Sequence, residues 1–168
     1  GVYGEGPRTI FRPTAVYGPG DTEMLPLFLA MRQGILPVLG PRGARLTLLH
    51  VHDLVEAITL WLERDPPLSG TFELHDGHEE GYDWPGVAAL AAHSWDRTIR
   101  TIRIPGSVLS ALATLSLVTA RLLGTDPMLT PGKVRELRHP DWRCDNGPIT
   151  EALGWKPGID LATALHRM

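Results

Sequence analysis

Arg12-Pro13-Thr14-Ala15-Val16-Tyr17-Gly18-Pro19-Gly20-Asp21 is the stretch from which the rest of the chain can be read. An apolar run, Thr9 to Phe11, leads into it, and Thr9 to Val16 together reads as a strand that stops abruptly. Pro13 fixes its own φ and holds Arg12 extended, which makes the segment rigid and places it at a sheet edge or a strand terminus. Gly18 and Gly20 then let the chain turn away sharply through Tyr17 to Thr22. Pro13 to Val16 is therefore a flat apolar wall with backbone groups on which a planar ligand can rest.

Outward from this stretch, strands and helices alternate. Met24 to Gln33 predicts an amphipathic helix ended by Gly34. Gly40 to Ala44 reads as a hairpin-like turn and Arg45 to Val51 as a Leu-rich strand. Asp53 reads as the cap of a helix whose apolar face is Leu54, Ala57, Ile58 and Trp61, stopped at Pro66-Pro67. A short strand follows at Thr71 to Leu74, then a polar loop, His75 to Tyr82. Asp83 caps a helix over Pro85 to His93. Ile99 to Ile104 alternates as a half-exposed strand, and Val108 to Leu123 is a second long helix ended by Gly124. Val134 to Leu137 extends a short helix, and Asp145 or Asn146 caps a turn through Glu151 to Leu153. No repeat or heptad run is present, and the alternation says α/β.

The composition is that of an ordinary globular domain, and 168 residues suffice for one real core. A net charge of -3 leaves no electrostatic footprint for nucleic acid, and the basic residues, nearly all arginine, are scattered. A single cysteine, Cys144, excludes an intrachain disulfide framework and points to the cytoplasm. The uncharged stretch ending at Ala120 is too short and too rich in Ser and Thr to span a bilayer, so no membrane partner is expected and its helix reads as buried or lid-forming. The start is Gly-rich, with no basic segment followed by an apolar one, and so is no signal peptide. Gly1 is not an initiator methionine, and the left end reads as a cut or processed end.

Three segments carry a family resemblance. The Arg12 to Asp21 stretch closely resembles the strand-end motif that follows the catalytic helix in extended short-chain dehydrogenases/reductases, the NAD(P)-dependent epimerase/dehydratase family. Leu49-His50-Val51-His52-Asp53-Leu54-Val55-Glu56-Ala57 resembles that family's strand-then-helix signature. Asp145, followed by Ala152-Leu153-Gly154-Trp155-Lys156-Pro157, looks like its Leu-Gly-Trp-x-Pro ending. Their order and approximate spacing agree with the family and cover Thr9 to Leu165. The resemblance implies an α/β fold, the C-terminal part of a Rossmann-like protein, comprising the last sheet strands and a small substrate-binding α/β subdomain. All 168 residues would form one partial domain, with the N-terminal dinucleotide-binding half absent. It implies NAD or NADP as cofactor of the full-length parent, with Pro13, Thr14, Ala15 and Val16 facing the nicotinamide. Tyr17, Asp21, Leu25 and His50 are its candidates for the substrate pocket wall.

Two family features are missing. The proton chemistry belongs to a Tyr-x-x-x-Lys pair, whereas Tyr3, Tyr17 and Tyr82 are followed four residues on by Pro7, Asp21 and Gly86. Gly4 and Gly6 make no dinucleotide fingerprint, which needs a preceding strand and a third glycine opening a helix. No catalytic residue is therefore assigned. Relatives that bind sugar nucleotides often carry Arg-Asp where this chain has Leu46 and Thr47, and Arg45 stands one place off. Sugar nucleotides and less polar ketones or alcohols both stay open as substrates, and reductase, epimerase and dehydratase as reactions.

Other readings compete. A non-catalytic small-molecule-binding module would keep the pocket without the chemistry. His50, His52 and Asp53, or His75 to Glu80, would be the start of a metal site, although each lacks a complete ligand set, and the second cluster reads as a solvated loop. Arg97, Arg100 and Arg103 read as a charged strand edge, and the five tryptophans as packing. Expected partners are a small-molecule substrate and either the missing N-terminal half or a second copy, joined through the exposed strand.

Overall fold

The computed structural model describes residues 8–123 and 130–168. The segment around Pro13 forms two strands, β1 (Thr9–Pro13) and β2 (Ala15–Tyr17), which change partner at Thr14. β1 runs parallel to β5 (Gly70–Leu74), with Phe11 opposite Phe72 and Pro13 opposite Leu74. β2 runs parallel to β4 (Leu48–His50), with Tyr17 opposite His50. Thr14 joins the two pairs: its N–H and its hydroxyl both donate to the Leu74 carbonyl, at 3.1 and 3.2 Å. Beyond β5, the Asp76 N–H donates to the Leu48 carbonyl at 2.8 Å and ties the ends of β5 and β4 together. Parallel pairing requires crossovers, and α2 (Val51–Leu62) supplies the one between β4 and β5.

α1 (Leu25–Arg32) ends where Gly34 takes a φ of +88°, and β3 (Ile35–Val38) follows it. β3 pairs parallel with β6 (Arg100–Arg103), which follows α3 (Trp84–Ser94). The Gly40–Ala44 turn therefore closes no hairpin, because the strands on either side of it pair elsewhere. All four β6 side chains are exposed, a barer strand than the expected half-exposed one. Asp83 caps α3 as expected, its carboxylate accepting the Gly86 N–H at 2.7 Å. Next come α4 (Gly106–Leu123), α5 (Pro131–Leu137), α6 (Gly147–Leu153) and α7 (Leu161–Arg167). The expected stop at Gly124 lies outside the described residues, as does the loop expected over Gly1 to Pro7.

Two larger cores hold the strands, α1–α3, α6 and α7, and a smaller cluster joins α4 to α5. One gathers Tyr17, Phe28, Met31, Leu36, Tyr82 and the buried face of α7. α7 is fixed there by the Trp95 indole, which donates to the Leu165 carbonyl at 2.9 Å while Arg32 stacks over its ring. The second core centres on Trp155, 1% exposed, with Leu49, Ala57, Phe72, Leu74 and Ile149. Truncating an indole buried this deeply costs about 3–5 kcal/mol. Trp142, by contrast, is 44% exposed and packs its ring edge to face on His139.

The β1 and β5 faces are unequal. Phe11 and Phe72 turn toward α2, where Trp61 meets Phe11 edge to face, whereas Ile10, Arg12, Thr71 and Glu73 point outward and are exposed. Among the described residues β1 has a partner on one edge alone.

Candidate functional site

The turn after β2 passes over His50, and its sequence follows from that closeness. A Cβ on Gly18 would come within 2.9 Å of both His50 Nε2 and Val51 Cγ1, and Gly18 sits at a φ of +128°. Only glycine fits. The Asp21 carboxylate accepts the N–H groups of Glu23 at 2.8 Å and Met24 at 3.0 Å, which launches α1 with Pro26 in its first turn. Asp21 thus spends its charge on its own backbone.

A cleft of about 500 Å³ opens here, between the Gly18–Asp21 turn, the start of α1 and the end of α7. Leu25, Phe28, Ile159 and Ala164 give it apolar walls, and His50, His52 and Arg167 line it with polar groups. Of the four expected substrate residues, Asp21, Leu25 and His50 meet at this cleft. Tyr17 does not line it: it is fully buried beneath, edge-on to His50 at 5.4 Å and tilted against Phe28 at 5.6 Å. Its hydroxyl has no hydrogen-bond partner among the described residues. Burial first, then Asp76, Asp160 and Asp53, pushes that hydroxyl far above the ordinary tyrosine range, so Tyr17 is no phenolate base.

His50 caps α2: its Nδ1 accepts the His52 N–H at 3.3 Å, which places the proton of the neutral ring on Nε2, the atom under Gly18. Burial, then the neighbouring His52, lowers its pKa, so the neutral ring is favoured. Asp53 is not the cap that its position suggests. It is a buried first-turn residue whose carboxylate reaches the C-terminal segment, accepting Gly158 N–H at 3.1 Å and Ile159 N–H at 3.0 Å. The Trp155 indole donates to the Asp53 carbonyl at 3.1 Å. The His-Val-His-Asp and Gly-Trp-Lys-Pro segments are therefore two halves of one clamp, which holds Ile159 and α7 against the cleft.

The wall at Pro13 to Val16 is partly as expected. Pro13 and Ala15 are exposed and Val16 half-buried. The Thr14 N–H, however, is taken by Leu74 and is not free for a planar ligand. What remains is an apolar surface fit for a flat ring. Leu46 and Thr47 offer nothing to a diphosphate: Leu46 N–H and C=O both bond Tyr82, and buried Thr47 donates to the Trp142 carbonyl. Arg45 turns to the Gly81 carbonyl at 3.3 Å.

The His75 to Tyr82 segment is the expected solvated loop only over Gly77 to Glu80, which are exposed. His75 and Asp76 are buried. Asn146 brackets His75, accepting its N–H and donating to its carbonyl, both at 2.9 Å. Asp76 accepts the Tyr82 hydroxyl at 2.7 Å and the His78 N–H at 3.2 Å. Burial raises the Asp76 pKa against the pull of these bonds. Among the described residues no group of three or more His, Cys, Asp or Glu is placed to hold a metal ion. Cys144 is half-buried, and its thiol is pushed up to about 11 by burial first and then by Glu73.

Comparison with known proteins bears directly on this site. The model of the NAD dependent epimerase/dehydratase family matches residues 4–72, the span from the wall through the clamp helix to β5. A ceramide reductase of Caulobacter vibrioides is 36% identical over 151 residues, covering 89% of this chain and 47% of that protein. The chain is similar to the NAD-dependent epimerase/dehydratase family. Solved structures of similar fold agree. Human epimerase family protein SDR39U1 with NADPH superposes with a TM-score of 0.68 at 17% identity, over 96% of this chain and 48% of that one. A UDP-glucuronic acid 4-epimerase of Bacillus cereus, with UDP-glucuronic acid and NAD, gives 0.62 at 14%, over 94% and 42%. RMD from Pseudomonas aeruginosa with NADPH gives 0.61 at 16%, over 94% and 45%. The fold is the Rossmann-like α/β fold of this family, whose neighbours hold NAD or NADPH. The chain spans about half the length of the relatives it matches. Among its described residues no helix is long and apolar enough to cross a membrane.

Proposed function

We propose that this chain is the substrate-binding part of an NAD(P)-dependent reductase of the family, acting on a ketone of a long-chain, ceramide-like lipid. The observation that carries this reading is the 36% identity to a ceramide reductase along nearly the whole chain. Two features of the site support it. The cleft beside the Gly18–Asp21 turn is mainly apolar, and the two positions where sugar-nucleotide relatives often place Arg-Asp are locked into backbone bonds. Epimerisation or dehydration of a nucleotide sugar is the second reading, favoured by the solved neighbours alone.

The nicotinamide supplies the hydride when bound. This chain's part is to seat it and the substrate. Pro13, Ala15 and Val16 give the ring an apolar floor, with Thr14 holding that floor to β5. Leu25 and the His50 Nε2–H wall the substrate cleft, with Tyr17 packed beneath and Asp21 fixing the turn. The open edge of β1 receives strands of a dinucleotide-binding half, which carries the glycine fingerprint and the Tyr-Lys pair. The test is steady-state turnover by the protein expressed from its complete reading frame, with NADH and NADPH, on an N-acyl long-chain ketone and on UDP-sugars. Turnover of the ketolipid alone is expected. Turnover of a UDP-sugar alone would replace this reading with the second.

A further inference from the structure

α4 carries a single charged residue, Arg121, and meets the body along a narrow seam in which Leu109 and Ala113 pack on Val134 of α5, closed by Leu39 and Ile104. It is not the buried helix that its composition suggests. Val108 is 45% and Leu115 59% exposed, and Ala111 between them is exposed as well. Spacings of three and four put these three on one face. Alongside lies a second cleft, of about 420 Å³, between α4 and α5, lined by Ser110, Ala113, Thr114, Val134, Arg135 and Arg138. The ion pairs among the described residues use Lys133 and Arg143, and nearby Glu136 is taken by Lys133, so neither Arg135 nor Arg138 is in an ion pair there.

We propose that the exposed face of α4, bordered by Arg135 and Arg138, docks this protein on an anionic lipid bilayer. An interfacial helix sinks apolar side chains below the headgroups and keeps cations among the phosphates, and this surface has both, with no acidic residue on α4. A second copy is a poorer occupant, because a two-fold contact through this face brings the arginine borders of both copies into one interface. No spanning helix is needed for this contact, which is peripheral. The proposal rests on the lipid-ketone reading, since a substrate with two long chains resides in a bilayer.

The experiment is flotation of the protein, expressed from its complete reading frame, with vesicles of phosphatidylcholine alone and of an equimolar phosphatidylcholine–phosphatidylglycerol mixture. Binding is expected on the anionic vesicles and should weaken as salt rises. Arg135→Gln with Arg138→Gln should weaken it about thirtyfold, and Val108→Ser with Leu115→Ser by at least about tenfold. The proposal is overturned by absence of binding, by equal binding to neutral vesicles, or by a dimer that Leu115→Ser dissociates in sedimentation equilibrium. Turnover of the ketolipid in detergent micelles separates the two claims. Micellar turnover without vesicle binding sinks the docking surface alone, and vesicle binding without micellar turnover sinks the substrate reading.

Discussion

Replacing Asp53 by alanine should loosen the C-terminal segment by more than any role within its own helix allows. Its carboxylate accepts two backbone N–H groups, at 3.1 and 3.0 Å, from Gly158 and Ile159. A donor stripped of its buried partner costs about 1–3 kcal/mol. Gly158 is exposed and Ile159 half-buried, so water repays part of that, and relief from burying a carboxylate repays more. The expected loss is about 3 kcal/mol, or about 6–12 °C in Tm at this chain length. Asp53→Asn, which keeps one acceptor oxygen, should lose about half as much. An acidic residue acting only on the dipole of its own helix is worth about 0.3–1 kcal/mol, so the magnitude alone separates the two roles. Urea unfolding followed by tryptophan fluorescence gives the energy, because Trp155 sits in the clamp. Hydrogen exchange gives the location: the Gly158 and Ile159 amides should lose protection in Asp53→Ala. A loss below about 1 kcal/mol, with those amides still protected, would refute the clamp.

Three further outcomes follow from the geometry. Gly18→Ala should cost about 2 kcal/mol or more in urea unfolding, since a non-glycine at positive φ is strained and the new methyl meets His50 and Val51 at 2.9 Å; an unchanged midpoint contradicts the close crossing. Asp76 titrates higher in the fold than unfolded because burial raises its pKa, so its contribution to stability is present below the unfolded value and is lost as pH rises through the folded one. Urea midpoints of wild type and Asp76→Asn, compared upward from pH 4, should shift in favour of Asn, and parallel curves would show that Asp76 does not titrate this way. Cys144, its thiol pushed up to about 11, should react slowly with a disulfide reagent in native buffer and fast in urea; a fast native reaction contradicts its burial.

Local chemistry was legible in the sequence where it acts locally. The Asp83 cap and the Gly34 helix stop act within a few residues of themselves, and composition reveals them. Asp53 has the residue type and place of a cap, yet its hydrogen-bond partners lie beyond Trp155, and no spacing rule announces a partner so distant. β3 has no clear sequence signal, because Pro37 interrupts a four-residue run whose pairing is with β6. α7 carries one readable signal, Asp160 three residues before Thr163, whose carboxylate accepts the Thr163 N–H at 2.8 Å. His75 and Asp76 looked like solvent residues, and only Asn146 and Tyr82, brought in by the fold, make their burial tolerable. Of the candidate site, Asp21, Leu25 and His50 were found together, while Phe28, Ile159 and Arg167 depend on α1 and α7 packing that the sequence did not reveal.

The most direct test of the central claim is isotope transfer. The protein expressed from its complete reading frame would be given an N-acyl long-chain ketone and NADH or NADPH carrying deuterium at both C4 positions of the nicotinamide, and the product examined by mass spectrometry. One deuterium on the new carbinol carbon is the predicted result. An unlabelled alcohol, or no alcohol with either cofactor, would contradict the assignment of this chain to a nicotinamide-dependent lipid-ketone reductase.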